Sequence, residues 1–186
     1  MFSLNRIRHA PRDLLDDRSG VAAIEFAFIA GFLCLGVVNV SDTGIYIFKH
    51  MQVENAAQMG AMSALKACDL SQLPATGYTN GVYNCPNLNA AVTAAIQSTS
   101  LGTSVSLNGT LSEGYYCVSS SNTLILIASV PSPRPNDCST AGMGALQPID
   151  YLRVPVTFSY ASLFGGISVA GLFTTPINNT TMVRME

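Results

Sequence analysis

The chain opens polar, turns apolar at Val21 and stays so to Val40, reading VAAIEFAFIAGFLCLGVVNV with only Glu25 and Asn39 breaking the run. About 20 such residues in a helix cover a bilayer core of about 30 Å, so the run predicts a membrane-spanning helix over 21–42. Helix formers then continue without proline from Ile45 to Lys66. The helix is therefore expected to run on through 43–68, to about 70 Å in all. Gly44 is its weak point, at about 1 kcal/mol for a glycine inside a helix. In the continuation, Ala57, Ala61 and Ala64 recur at helical spacing, as do Ala56, Gly60 and Ala64. They form a face of small side chains that another helix or a sheet can approach closely. Either the chain's own domain or a neighbouring chain would fill it. A secretory signal peptide would have a shorter apolar core and a small-x-small cleavage site, and NVSDTGIYIFKHMQVENAAQ after the run offers none.

Past Cys68 the texture changes. Residues 69–88, rich in Pro, Gly, Asn and Thr, predict a loop. Leu88–Thr99 predicts a short amphipathic helix, with Asn87 or Asn89 as its cap. Runs of β-formers follow at Thr103–Leu107, Tyr115–Ser119, Thr123–Val130, Tyr151–Tyr160 and Ile177–Met185, separated by turn clusters. Pro155 suits an edge strand, since it has no N–H for a ladder. Residues 161–176 are Gly- and Phe-rich and irregular. The expected fold class is α+β: a long N-terminal transmembrane and spine helix, then over 69–186 a small domain with a short helix and a mostly antiparallel β-sheet.

Charge sharpens the picture. Only 11% of the 186 residues are charged, against roughly 25% in soluble domains. A net charge of -2 leaves no basic footprint for nucleic acid. Arg6, Arg8, Arg12 and Arg18 precede the apolar run, and the other five cations are dispersed after it. That asymmetry places residues 1–20 in the cytoplasm and the domain on the far side of the membrane. There, Cys68, Cys85, Cys117 and Cys138 meet an oxidising compartment and form two disulfides. Three connectivities are open; short loops favour Cys68–Cys85 with Cys117–Cys138. Cys34, inside the span, reads as a small apolar residue.

Chemistry is sparse. His9 and His50 are the only histidines and no C-x-x-C occurs, so neither a metal site nor His-dependent nucleophilic catalysis is expected. Asp42, Glu54, Asp69, Glu113, Asp137, Asp150 and Glu186 are scattered and read mostly as loop residues, without a carboxylate pair. Gly142-Met-Gly144 and Gly165-Gly166 read as turns. The expectation is a non-enzyme with no cofactor and no small-molecule substrate.

The informative residue is Glu25. A carboxylate one turn into a membrane helix costs about 2.5–3.5 kcal/mol on insertion scales and normally has a partner. Cleavage after Gly20 would give Val21 a free amine that pairs with Glu25 of its own chain or of a neighbour. Without cleavage, Glu25 reads as a side chain snorkelling to the headgroups. The stretch DRSGVAAIEFAFIAGFL resembles the N-terminus of TadE-like proteins, pilin-like components of tight-adherence (Flp, type IVc) pili: Gly20, then VAAI, then Glu25-Phe26. ENAAQMGAMSA and the terminal TTMVRME resemble later parts of that family, and the likeness is good over about the first 68 residues. It implies a leader, 1–20, removed by a prepilin peptidase between Gly20 and Val21, with Glu25 and Phe26 setting helix register. It further implies a minor pilin or pseudopilin-like subunit acting in pilus assembly and surface adhesion at the bacterial inner membrane. Its partners would be other pilin subunits and the inner-membrane assembly platform. The alternative is an uncleaved single-pass envelope protein whose domain is a binding or assembly-factor module. Asn39 and Asp42 match nothing in the family pattern.

Overall fold

The computed structural model describes residues 19–186; Arg6, Arg8, His9, Arg12 and Arg18 of the N-terminal segment lie outside the described residues. The first element is one continuous helix of 49 residues, α1 (Ser19–Ala67). It passes Gly44 unbroken, and a Cβ there would meet nothing within 4 Å. Lys66 in the last turn complements the helix dipole.

The chain divides into two compact units, Ile45–Ala161 with Leu172–Glu186, and the helix up to Gly44 with Ser162–Gly171. The larger unit is α+β. Its second helix, α2 (Leu88–Gln97), buries Leu88, Val92 and Ile96 at four-residue spacing, as an amphipathic helix must. Asn87 stands at its N-cap position but makes no capping hydrogen bond through its side chain.

The main sheet contains β3 (Val105–Leu107), β4 (Ser112–Val118), β5 (Leu124–Ser129), β6 (Ile149–Phe158) and β7 (Ile177–Arg184), all paired antiparallel. β6 is the central strand. Along one side it pairs with β7 over Tyr151–Phe158. Along the other it pairs first with β4, up to Arg153, and then with β3, from Val156. Pro155 is therefore not on an edge. It falls in the gap where the neighbour changes from β4 to β3. Its carbonyl accepts from Asn108 N at 2.9 Å on the β3 side, so its nitrogen faces that side too, where proline forgoes only the return bond to Asn108 at the very end of the β3 ladder.

Leu152, Val154, Val156 and Phe158 alternate to one face of β6 and pack with Val105, Ile177, the apolar side of α2 and the small residues of α1. Ala56, Ala57 and Ala64 are fully buried. The small-residue face is thus filled by the chain's own sheet and short helix.

The segment expected to be a plain loop contains a hairpin, β1 (Tyr78–Thr79) and β2 (Val82–Tyr83). It turns on Asn80 and Gly81, at φ 52° and 85°. Positive φ at both turn residues fits the right-handed strand twist, and Asn-Gly is the pair that tolerates it. Disulfides join Cys68 to Cys85, tying the end of α1 to the loop before α2, and Cys117 to Cys138, tying β4 to the loop before β6.

Candidate functional site

Gly20, Val21, Glu25 and Phe26 lie together on the first turns of α1, and all are exposed. The described residues are helical from Ser19 on, so the Gly20–Val21 bond lies within helix. Among the described residues, Glu25 makes no hydrogen bond or ion pair. The apolar side chains that follow are bare: Phe26 is 72% exposed, Phe32 79% and Val40 75%. This contrasts with Val53 onward, where α1 packs on its own domain. α1 is the single described helix long and apolar enough to cross a membrane, and the apolar stretch that qualifies it is not buried within the protein. Cys34 lies in this stretch as an exposed free thiol.

Asn39 and Asp42, which the sequence left without a role, are bound to the segment 162–171. Asn39 Oδ1 accepts from the amide of Val169 at 2.8 Å, while its Nδ2 donates to Leu35 O at 2.8 Å. Asp42, fully buried, accepts from the amide of Leu163 at 3.1 Å through Oδ1. Both polar side chains face a backbone that needs acceptors.

Asp69, Asp137 and Glu186 lie outside helices and strands as expected, but Glu113 and Asp150 do not. β4 begins at Ser112 and β6 at Ile149, which takes Glu113 and Asp150 into strands. Glu113 pairs in register with Leu152 and Tyr115 with Asp150, so all four side chains share the core-facing side of the sheet. Glu113 accepts from Ala75 N at 2.8 Å, Thr76 N at 2.6 Å and Thr76 Oγ1 at 2.9 Å. It thereby clasps the loop before β1. Glu186 pairs with Arg134 and accepts from Asp150 N at 3.2 Å; Arg134 also donates to Pro148 O. The parity of Asp150 with Leu152, Val154 and Val156 was the signal available in the sequence; placing the strand start at Tyr151 concealed it.

Asp150 is pushed up to about 8, by burial first, then by the charge of Glu113 and the hydrogen bond with it, then by Glu186, with Arg134 opposing. Near neutral pH Asp150 therefore keeps its proton and shares it in the hydrogen bond with Glu113. Burial, then the charges of Asp150 and Glu113, also raise the Tyr115 phenol. Unfolded, an aspartate titrates near its ordinary value of about 4. The native state therefore keeps a proton that the unfolded chain releases. The resulting stability is complete below about 4 and is lost as pH rises through about 8. Urea unfolding of the full chain in detergent should show a midpoint falling from pH 5 to pH 8.5. Asp150→Asn, which retains a donor for Glu113, should flatten that slope; a slope unchanged in the variant would assign it elsewhere.

Glu113 is only 4% and Asp150 2% exposed, although a hollow of about 410 Å³, lined by Thr76, Glu113, Tyr116 and Arg153 among others, opens beside Glu113. A hollow of about 330 Å³ lies nearby, lined by Ala75, Thr76, Tyr83, Pro86, Asn89 and Thr110 among others, with no acid or base beyond a tyrosine. Among the described residues, no group of three or more His, Cys, Asp or Glu side chains is placed to hold a metal ion.

No curated protein and no solved structure matches the chain. The likeness to known proteins lies in the long helix: residues 20–62 match the family model described as TadE-like protein, the same family that Gly20, Glu25 and Phe26 resemble.

Proposed function

We propose that this protein is a minor pilin or pseudopilin-like subunit of a tight-adherence pilus, anchored by the apolar part of α1 with its N-terminus in the cytoplasm and its α+β domain in the periplasm. The supporting observation is that the TadE-like segment, residues 20–62, contains both an apolar stretch that the chain leaves uncovered and the small-residue face that the domain fills. The uncovered stretch suits lipid first and the helices of neighbouring pilin subunits afterwards. A prepilin peptidase cuts between Gly20 and Val21, and the new amine pairs with Glu25. That pairing in a neighbour sets axial register, while Phe26 packs beside it. The assembly platform of the inner membrane is the further partner, and the role is structural, in pilus assembly and surface adhesion.

The test is the intact mass and N-terminal sequence of the protein from native membranes. A chain beginning at Val21 is the expected result. A chain beginning at Met1 or Phe2 would overturn processing and support a permanently anchored binding or assembly-factor module. That second reading is favoured by one observation: the helix already includes Ser19 and Gly20, so the scissile bond is not extended. Glu25→Ala should abolish incorporation into pili while leaving membrane insertion intact, as read by pilus shearing and membrane fractionation.

A further inference from the structure

We propose that residues 162–171 form a second membrane contact: an apolar loop that Asn39 and Asp42 hold against the end of the span and that lies in the interfacial layer of the same bilayer. This rests on reading residues 21–42 as the span. Leu163 is 66%, Ile167 63% and Val169 49% exposed, and Phe164 is also open to the outside. No Asp, Glu, Lys or Arg occurs between Arg153 and Arg184. An exposed apolar loop in water is a liability; at the acyl–headgroup boundary the same side chains gain burial.

Three observations commit the loop to lipid. The first is position. Its two anchors are residues of the span's own helix, at the end where the apolar run stops. Lys49 and His50, the next basic residues along that helix after Asp42, lie about 10–12 Å further on at 1.5 Å per residue, at headgroup level. The second is the backbone. Irregular chain at membrane depth needs its polar groups satisfied internally. Here the amides of Leu163 and Val169 go to Asp42 and Asn39, those of Ile167 and Ser168 to Phe164 O, Ala170 to Ser168 Oγ and Gly171 to Ser168 O. The third is the inner side. Ser168 and Ala170 are buried, so the loop is a packed element with one apolar side turned outward. Asp42 is thus wholly shielded, while Asn39, half-buried, spends both its oxygen and its nitrogen on hydrogen bonds to backbone.

The experiment uses the full chain in phosphatidylethanolamine–phosphatidylglycerol vesicles, at fewer than one chain per vesicle. An environment-sensitive fluorophore is attached at Leu163→Cys or Ile167→Cys in a Cys34→Ser background. Native Cys34 reports the span, and Ser121→Cys, on the exposed turn between β4 and β5, reports water. Expected are blue-shifted emission at 163 and 167, loss of iodide quenching, and quenching by lipids carrying a nitroxide near the glycerol. Asn39→Ala should restore iodide quenching at 167. Water-like behaviour at both loop positions with Cys34 in lipid overturns the loop contact alone. Water-like behaviour at Cys34 as well means that the span reading has failed and this inference with it. Protection that appears only when chains are crowded assigns the loop to a second copy and overturns the membrane contact.

Discussion

Gly60→Val is expected to lower the stability of the folded domain by about 3 kcal/mol or more. Gly60 is where α1 comes closest to both α2 and β6. A Cβ there would stand 2.8 Å from Ile96 Cγ2, 3.2 Å from Val154 Cγ1 and 3.3 Å from Val92 Cγ1. All three neighbours are fully buried and have no free volume to retreat into. A branched side chain must therefore push the helix off the sheet or force several side chains off their rotamers, and interiors packed to crystal density transmit that strain. The helix itself would gain from losing a glycine, by a few tenths of a kcal/mol, too little to offset the clash. Gly44→Ala is the control: it too removes a glycine from the same helix, for a gain of about 1 kcal/mol, with open space around the new methyl. Urea unfolding followed by circular dichroism measures both. A Gly60→Val protein as stable as wild type would mean that α1 does not seat on Ile96 and Val154.

Glu113→Ala is expected to cost about 3–5 kcal/mol, because two backbone amides and a hydroxyl lose a charged acceptor at once and each buried orphan donor costs about 1–3 kcal/mol. The donors belong to Ala75 and Thr76, in a stretch otherwise tied down by Asn84, whose Nδ2 donates to Pro74 O and whose amide donates to Gly77 O. Loss of the clasp should raise hydrogen exchange at the amides of Ala75 and Thr76 before the rest of the sheet responds. Glu113→Gln, which keeps one acceptor oxygen, should fall between wild type and Glu113→Ala. Removing the Glu113 charge should also lower the Asp150 pKa, since that charge is its largest cause after burial. An Asp150 titration unmoved in Glu113→Ala would show that the two carboxyls do not interact.

These expectations concern residues whose surroundings the sequence did not reveal, and the reason is one of range. A helix writes its own signal within a few residues: the apolar run from Val21, the proline-free stretch to Lys66 and the spacing of Leu88, Val92 and Ile96 are all local. α1, α2 and the positions of the main-sheet strands along the chain are accordingly legible, with strand ends displaced by a few residues. The Asn80–Gly81 hairpin shows in the sequence only as a turn dipeptide, because strands of two residues are too short to write an alternation. The motif from Gly20 to Phe26 is likewise contiguous, which is why the TadE-like likeness can be read from residues alone.

Where contacts join distant parts of the chain, periodicity is silent. Alternation puts Glu113 and Asp150 on inward-facing positions once the strands are extended to include them, yet only the pairing of β4 with β6 brings them together. Pro155 looks like an edge residue until one strand is seen to change partners beside it. The alanine face announced close packing without saying against what; burial of Ile96 and Val154 at Gly60 decided for the chain's own domain. The bonds from Asn39 to Val169 and from Asp42 to Leu163 span 130 and 121 residues. The sequence by itself determined where the long apolar helix, the short helix and the main-sheet strands lie, and where the TadE-like motif sits on the first of them, because local backbone preference and hydrophobic period suffice for that. Only the tertiary structure decided which polar groups meet, because a buried donor or acceptor takes whatever partner the fold brings within hydrogen-bonding reach.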